Sequence, residues 1–221
     1  MNKKILLAII AIVAVIAIGV SAFSLGVFGQ TTEVNTKFLS GTIQGEAIKN
    51  NTNVSIPGWV TNYNDTENGI EYSFMMLDTF NFTKGLIVHG AGVKKIATEE
   101  YNNIKWDIYY LDANIANNKS KSSFNSSDDL NASGYFCFAS GKNGDYGILV
   151  MGSENISSDS SLNSDLFKNY IEPLLKSTTL KDPKNPPKEY QFAYMTKEEY
   201  DFINKYIKEN GWDSFINLMD S

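Results

Sequence analysis

Arginine is absent from this chain, and all 19 of its basic residues are lysines. The planar guanidinium forks that read phosphates and guanine edges are therefore missing, which weighs against nucleic-acid binding. Acidic side chains prevail, 25 in number, and the net charge is −6. Lys3 and Lys4 precede an apolar segment; without them 17 lysines face 25 acids, a balance of −8 that repels anionic polymers and lipid headgroups.

Sulfur and imidazole are almost as scarce. Cys137 is the one cysteine, so the chain builds no internal disulfide and no thiolate metal cluster. Within Tyr135-Phe136-Cys137-Phe138 it reads as a small buried hydrophobe. His89 is the one histidine, and His89-Gly90-Ala91-Gly92 faintly resembles the glycine-rich oxyanion loop of lipases and esterases. That chemistry also needs a Gly-x-Ser-x-Gly elbow and a second histidine as base, and neither occurs. His89 therefore reads as a strand-end residue beside a glycine turn. A dyad with Cys137 would require an exposed thiol of lowered pKa.

With so few nitrogen and sulfur ligands, only oxygen-donor metals such as calcium or magnesium come into question. Asn64-x-Thr66-x-Asn68-Gly69 begins like a calcium loop, but Met75 stands at the twelfth position in place of the bidentate glutamate, so a hairpin turn is the better reading. Asp128-Asp129 reads as a solvated loop, and Gly141, Gly144 and Gly147 as hairpin glycines rather than a phosphate cradle. No catalytic residue, metal ligand or cofactor is assigned.

What the chain does contain is 43% apolar and 13% aromatic residues, enough for a folded core. Ile5 to Phe28 run for 24 positions without a charge. As a helix at about 1.5 Å per residue they reach roughly 36 Å, enough to cross a hydrocarbon layer of about 30 Å. The segment reads as an N-terminal signal anchor and single transmembrane helix (1–28), with Lys3 and Lys4 keeping the N-terminus cytoplasmic. The alternative is a signal peptide cut after Val20-Ser21-Ala22, leaving a secreted protein. Either way the remainder is exported. Asparagine agrees with that address: eight residues, Asn50, Asn53, Asn64, Asn81, Asn118, Asn125, Asn131 and Asn155, begin Asn-x-Ser/Thr triplets that are candidates for N-glycosylation. Turn chemistry is the competing explanation for each of them.

Residues 29–37 read as a stalk, and Phe38 to Gln44 as an edge strand opening the exported domain, 38–180. Val54 to Val60 and Gly69 to Leu77 read as a strand pair around Asn68-Gly69. Gly85 to His89 follow as an apolar strand, and Thr98 to Tyr101 as a short helical piece. Ile104 to Leu111 alternate, with Trp106, Ile108 and Tyr110 on one face and Tyr109 on the polar one. Residues 112–134 are a long exposed loop. The clearest signal is Tyr135 to Met151, two apolar arms closed at Asn143-Gly144, a central hairpin covered on both faces. Its cover is a helix whose stripe is Leu162, Leu166, Phe167, Tyr170, Ile171, Leu174 and Leu175, capped by Ser161 or Ser164, with Pro173 forcing a kink. A Pro-rich linker (181–195) leads to a helical appendage (196–221), opened by the capping box Thr196-Lys-Glu-Glu199 and interrupted at Asn210-Gly211. The fold class is α+β: an antiparallel sheet covered by a C-terminal helix, preceded by one transmembrane helix and followed by a small helical appendage.

This order of elements, with Ser55-Ile-Pro-Gly-Trp59 opening a strand and Leu-Phe-x-x-Tyr-Ile-x-Pro-Leu-Leu-Lys-Ser from Leu166 to Ser177, resembles the PsbP-like and DcrB-like α+β fold over about residues 38–180. The resemblance implies a largely non-enzymatic, extracytoplasmic and membrane-associated protein. The Asn-rich, Lys-only composition behind a simple anchor also resembles surface proteins of methanogenic archaea. Neither likeness carries a functional residue over. The residues themselves leave recognition as the expected role: Trp59, Tyr63, Trp106 and Tyr109 are candidates for an outward aromatic ligand surface. The expectation is a non-catalytic, membrane-tethered extracytoplasmic binding or protein-interaction module, with an envelope protein or glycan as partner. The alternative is a structural envelope component that assembles with itself or its neighbours.

Overall fold

The hairpin that dominates the sequence also dominates the structure. β8 (Ser133–Ser140) and β9 (Asp145–Gly152) lie at the centre of a seven-stranded antiparallel sheet of order β3-β4-β5-β9-β8-β7-β6. The other strands are β3 (Ile48–Asn50), β4 (Val60–Asp65), β5 (Ile70–Leu77), β6 (Val93–Tyr101) and β7 (Ile104–Leu111). The computed structural model describes residues 30–50, 56, 58–90, 92–112, 133–152 and 159–219. The apolar segment 5–28, most of the 112–134 loop with Asp128-Asp129, and the triplets at Asn53, Asn118, Asn125, Asn131 and Asn155 lie outside these residues. Among the described residues no helix is long and apolar enough to cross a membrane.

Strand alternation divides the hairpin's side chains between two cores. Tyr135, Cys137, Tyr146, Ile148 and Val150 face one way, whereas Phe136, Phe138, Leu149 and Met151 face the other. Each buried aliphatic or aromatic side chain contributes about 1.5–3 kcal/mol. Cys137 is fully buried and burial pushes its thiol up, as expected of a packing residue. The turn at Asn143-Gly144 is not left-handed, since neither residue has positive φ. Gly144 is needed for close approach, since a Cβ there would lie 2.3 Å from the Leu77 carbonyl oxygen.

The first core is covered by α2, a π-helical stretch Phe167–Ile171 continuing into the α-helical turns Glu172–Ser177. Its buried stripe is the expected one from Leu166 to Leu175, whereas Leu162 lies half-buried in the turn before the helix. Ser164 caps the helix by accepting the Phe167 N–H at 3.2 Å. The break expected at Pro173 takes the form of the wide turn. The Glu172 N–H reaches back five residues to the Phe167 carbonyl, a register that accommodates a ring with no N–H to give. Beside α2 lies a three-stranded sheet, β1-β2-β10, of β1 (Thr31–Asn35), β2 (Leu39–Gln44) and β10 (Thr179–Leu180). Residues 31–35, read above as stalk, are thus a paired strand, and β2 is a central strand rather than an edge. The stalk reading fails because β1 gains its partner from the next segment, which its own polar sequence does not announce.

The second core is covered by α1 (Asn81–Val88) and α3 (Glu189–Phe192). Outside α1 packs α4 (Lys197–Met219), through Phe82, Leu86, Met195, Ile203 and Phe215. The appendage therefore docks on the domain. Its capping box is present, with the Thr196 N–H donating to Glu199 Oε2 at 2.9 Å and the Glu199 N–H to Thr196 Oγ1 at 3.2 Å. Its interruption is Gly211, at φ 81°. Two local readings are reversed: Gly85 to His89 belong to helix α1 and its C-terminal cap, and Thr98 to Tyr101 to strand β6. Phe82 and Leu86, four apart, give α1 its buried stripe, and the charged Thr-Glu-Glu run is tolerated because β6 is an edge. Of the strand expected over 54–60, Val60 opens β4, Gly58 and Trp59 form a turn before it, and residues 54, 55 and 57 lie outside the described residues.

Candidate functional site

The four aromatics expected to form an outward surface do not form one. Trp106 is fully buried, Tyr63 and Tyr109 are 6% and 7% exposed, and only Trp59 is half-buried. The Trp59 face is already taken, since Lys37 Nζ lies 3.5 Å from its ring centroid. The polar register of β7 proved to be a second inward face, because α1 and α3 cover it from distant parts of the chain. His89 is the C-terminal cap of α1, stacked on Trp212 with ring centroids 5.4 Å apart and Nδ1 3.8 Å from Asp213. Cys137 is sealed in the core on the other side of the sheet from α1, so the two form no dyad. The Asn64 to Gly69 segment is the β4–β5 hairpin turn; Asp65, fully buried, accepts hydrogen bonds from the Asn68 backbone and amide. Among the described residues no group of His, Cys, Asp and Glu is arranged to hold a metal. Of the triplets within reach, Asn50 lies in β3, Asn64 is half-buried in β4, and Asn81 is exposed at the start of α1.

What the structure offers instead is a groove of about 870 Å³ at one end of the large sheet. Four segments distant in sequence build it, three as walls and one, Phe80 to Lys84, along the floor and the charged end. The β6–β7 turn, Asn102-Asn103, forms one wall; both residues have left-handed φ, 51° and 60°, as a two-residue hairpin turn demands. The Asn102 amide donates to the Thr178 carbonyl at 2.7 Å and fastens this wall to the end of α2. Ser140, Gly141 and Asp145 at the β8–β9 turn form the second wall, and Leu180 and Asp182 the third. Phe80 and Phe138 contribute apolar floor, and Lys84, Lys105 and Asp107 the charged end.

The groove carboxylates are held in fixed orientations. Asp145 accepts the Phe80 N–H at 3.1 Å. Asp182 accepts the Lys142 N–H at 2.8 Å and the Tyr146 hydroxyl at 3.0 Å. Burial, followed by the carboxylate of Asp182, pushes the Tyr146 phenol up, so it stays a donor. Burial alone would raise the Asp107 carboxyl, but hydrogen bonds from Lys84, Lys95 and Thr98, at 2.7, 2.7 and 2.8 Å, outweigh it and hold that carboxyl well below the usual range. The linker reading of 181–195 is corrected: Glu189–Phe192 within it form α3, and residues 181–188 are tied down along their length. This segment is a strap along the domain, with the Lys181 N–H on the Phe38 carbonyl and the Asp78 N–H on the Pro187 carbonyl, both at 2.9 Å.

Far from the groove sits Glu71 on β5, a carboxyl that burial pushes up to about 7. It pairs across the sheet with Met151, six residues along from the Leu77–Asp145 pair, or about 20 Å away. Its Oε1 is buried without a hydrogen-bond partner. Because its folded value lies above the ordinary glutamate value, the folded state binds the proton more tightly than the unfolded chain. Stability therefore falls as pH rises from about 4.5 to about 7. Replacing Glu71 by Gln is expected to remove that part of the pH dependence; denaturant unfolding at several pH values in this window would show it as a flatter profile. An unchanged slope would place the titration elsewhere.

No protein-family model matches the chain, and no curated protein matches it either.

Proposed function

We propose that the protein is a non-catalytic binding module, tethered to the membrane through residues 5–28, with its α+β domain on the extracytoplasmic side and the groove beside Asn102-Asn103 as its ligand seat. The groove carries this reading. It is large enough for a small organic ligand, combines apolar floor with a few fixed polar groups, and stands on rigid strand ends rather than free loops. Each of its aspartates is already tied to a lysine, a tyrosine or a backbone N–H. Such groups orient a ligand better than they exchange protons with it. The PsbP-like and DcrB-like likeness and the candidate glycosylation sites belong to the same proposal.

Ser140 gives the test, being an exposed residue on the groove wall whose side chain supports nothing in the core. The full chain in lipid nanodiscs would be screened against soluble saccharides, peptides and small organic ions for a rise in Tm. A ligand is expected to raise Tm by several degrees, consistent with saturation well above its Kd. Ser140→Trp should abolish that rise while leaving the ligand-free Tm within about 2 °C of the parent. A rise that survives Ser140→Trp places the ligand elsewhere, and no response from any class removes the groove from consideration. The tether is tested separately, by protease digestion of intact cells carrying a C-terminal epitope: loss of the epitope supports an outside domain, and protection contradicts it.

A further inference from the structure

We propose that two copies of this chain pair through β6, edge to edge and antiparallel, joining their seven-stranded sheets into one. β6 is the outermost strand of the large sheet and, at nine residues, the longest strand described in it; the opposite edge, β3, has three. Edges of this length are ordinarily protected by proline, by shortness or by charges that repel a second copy. β6 contains no proline, and its charges are arranged the other way: Lys94 and Lys95 occupy its first half, Glu99 and Glu100 its second. A two-fold axis across the strand brings the first half of one copy against the second half of the other, so lysine meets glutamate rather than itself.

The pairing with β7 shows which side chains share a face. Lys94 and Glu99 stand opposite Tyr110 and Trp106, on one face of the sheet; Lys95, Thr98 and Glu100 stand opposite Tyr109, Asp107 and Lys105, on the other. Residues directly opposite in a ladder lie on the same face. The symmetric register that keeps faces matched sets Lys94 against Glu99 of the second copy, and Lys95 against Thr98 with Glu100 on the diagonal, about 7–8 Å away and within reach of long side chains. Symmetry makes each contact twice. The irregularity between Lys95 and Ala97 falls at the two-fold axis, leaving the charged halves on either side regular. Lys95 already holds Asp107 at 2.7 Å, and an ammonium has three donors, so it keeps that contact. Lys94, Glu99 and Glu100 make no ion pair among the described residues.

Charge reversal at the direct pair tests this without disturbing Asp107. The full chain in nanodiscs of one scaffold size, or in detergent, is examined by light scattering and sedimentation, with spectroscopic confirmation that each variant is folded. The parent is expected to dimerise. K94E and E99K are each expected to weaken the dimer by at least about 10-fold, since like charges then face each other twice. An equimolar mixture of the two should restore a heterodimer, because one copy then presents two glutamates to two lysines, and the doubly swapped K94E/E99K chain should dimerise again. A parent that stays monomeric up to about 100 µM overturns the proposal. So does a dimer that survives both reversals, which would place the contact in the apolar N-terminal segment or on another face.

Discussion

A Glu189→Ala chain is expected to lose about 3 kcal/mol or more of folding stability, from a residue that nothing in its local sequence marks out. The Glu189 side chain is 1% exposed and sits at the N-terminus of α1. Its oxygens accept the Phe82 N–H at 3.0 Å, the Thr83 N–H at 2.6 Å and the Tyr200 hydroxyl at 2.6 Å. α1 has only eight residues and no capping side chain of its own, so it depends on this remote carboxylate to satisfy its first free N–H groups. Removing the acceptor leaves three donors beneath the strap, at about 1–3 kcal/mol for each that water cannot reach. Burial raises the Glu189 carboxyl and the three donors pull it back only in part, so the net shift is upward and the proton is held more readily in the folded state. Glu189→Gln, which retains one accepting oxygen, should cost less than Glu189→Ala. Denaturant unfolding of the two variants measures the difference. A loss below about 1 kcal/mol for Glu189→Ala would mean that water replaces the carboxylate, and the strap would then not be the element that holds α1.

Glu189 also shows where sequence reasoning stops. The β8–β9 hairpin, the stripe of α2, the capping box at Thr196 and the break at Gly211 were legible because each is a local pattern whose partners lie a few residues away. α1 was not, because its cap comes from a residue 107 positions later and its apolar Gly-Leu-Ile-Val run has strand composition. β1 was not, because a segment of four polar residues around the single apolar Val34 becomes a strand only once β2 is beside it. The aromatic surface was misjudged for a related reason. Alternation in β7 shows that two faces differ, but not that α1 and α3 cover the more polar one. The groove lay furthest from view. Asn102-Asn103, Ser140 and Asp182 are individually ordinary turn residues, and only the fold brings them around one space.

The same remote packing reverses the sign of a substitution that helix propensity would recommend. Glycine inside a helix is worse than alanine by about 0.5–1 kcal/mol, so Gly85→Ala in the middle of α1 should be stabilising if the helix stood alone. Here a Cβ on Gly85 would lie 1.8 Å from Cζ2 of Trp212. That indole is held between Phe82, Phe215 and His89, with ring centroids at 6.0, 5.9 and 5.4 Å, and joins α1 to the last turns of α4 beside the Phe82–Phe215 contact. To admit even one methyl group the ring must leave its seat or α1 must shift, and overpacking of this kind costs about 1–3 kcal/mol. Gly85→Ala is therefore expected to destabilise the parent chain, with a red shift in tryptophan emission as Trp212 moves toward water. In a Trp212→Ala background, already weakened by the lost ring, the identical Gly85→Ala change should become favourable by up to about 1 kcal/mol, since only helix propensity then remains. Unfolding free energies for the four chains of this double-mutant cycle decide the matter. If Gly85→Ala has the same sign in both backgrounds, Trp212 is not seated on Gly85, and the docking of α4 rests on its other contacts, Tyr200, Ile203 and Phe215 among them.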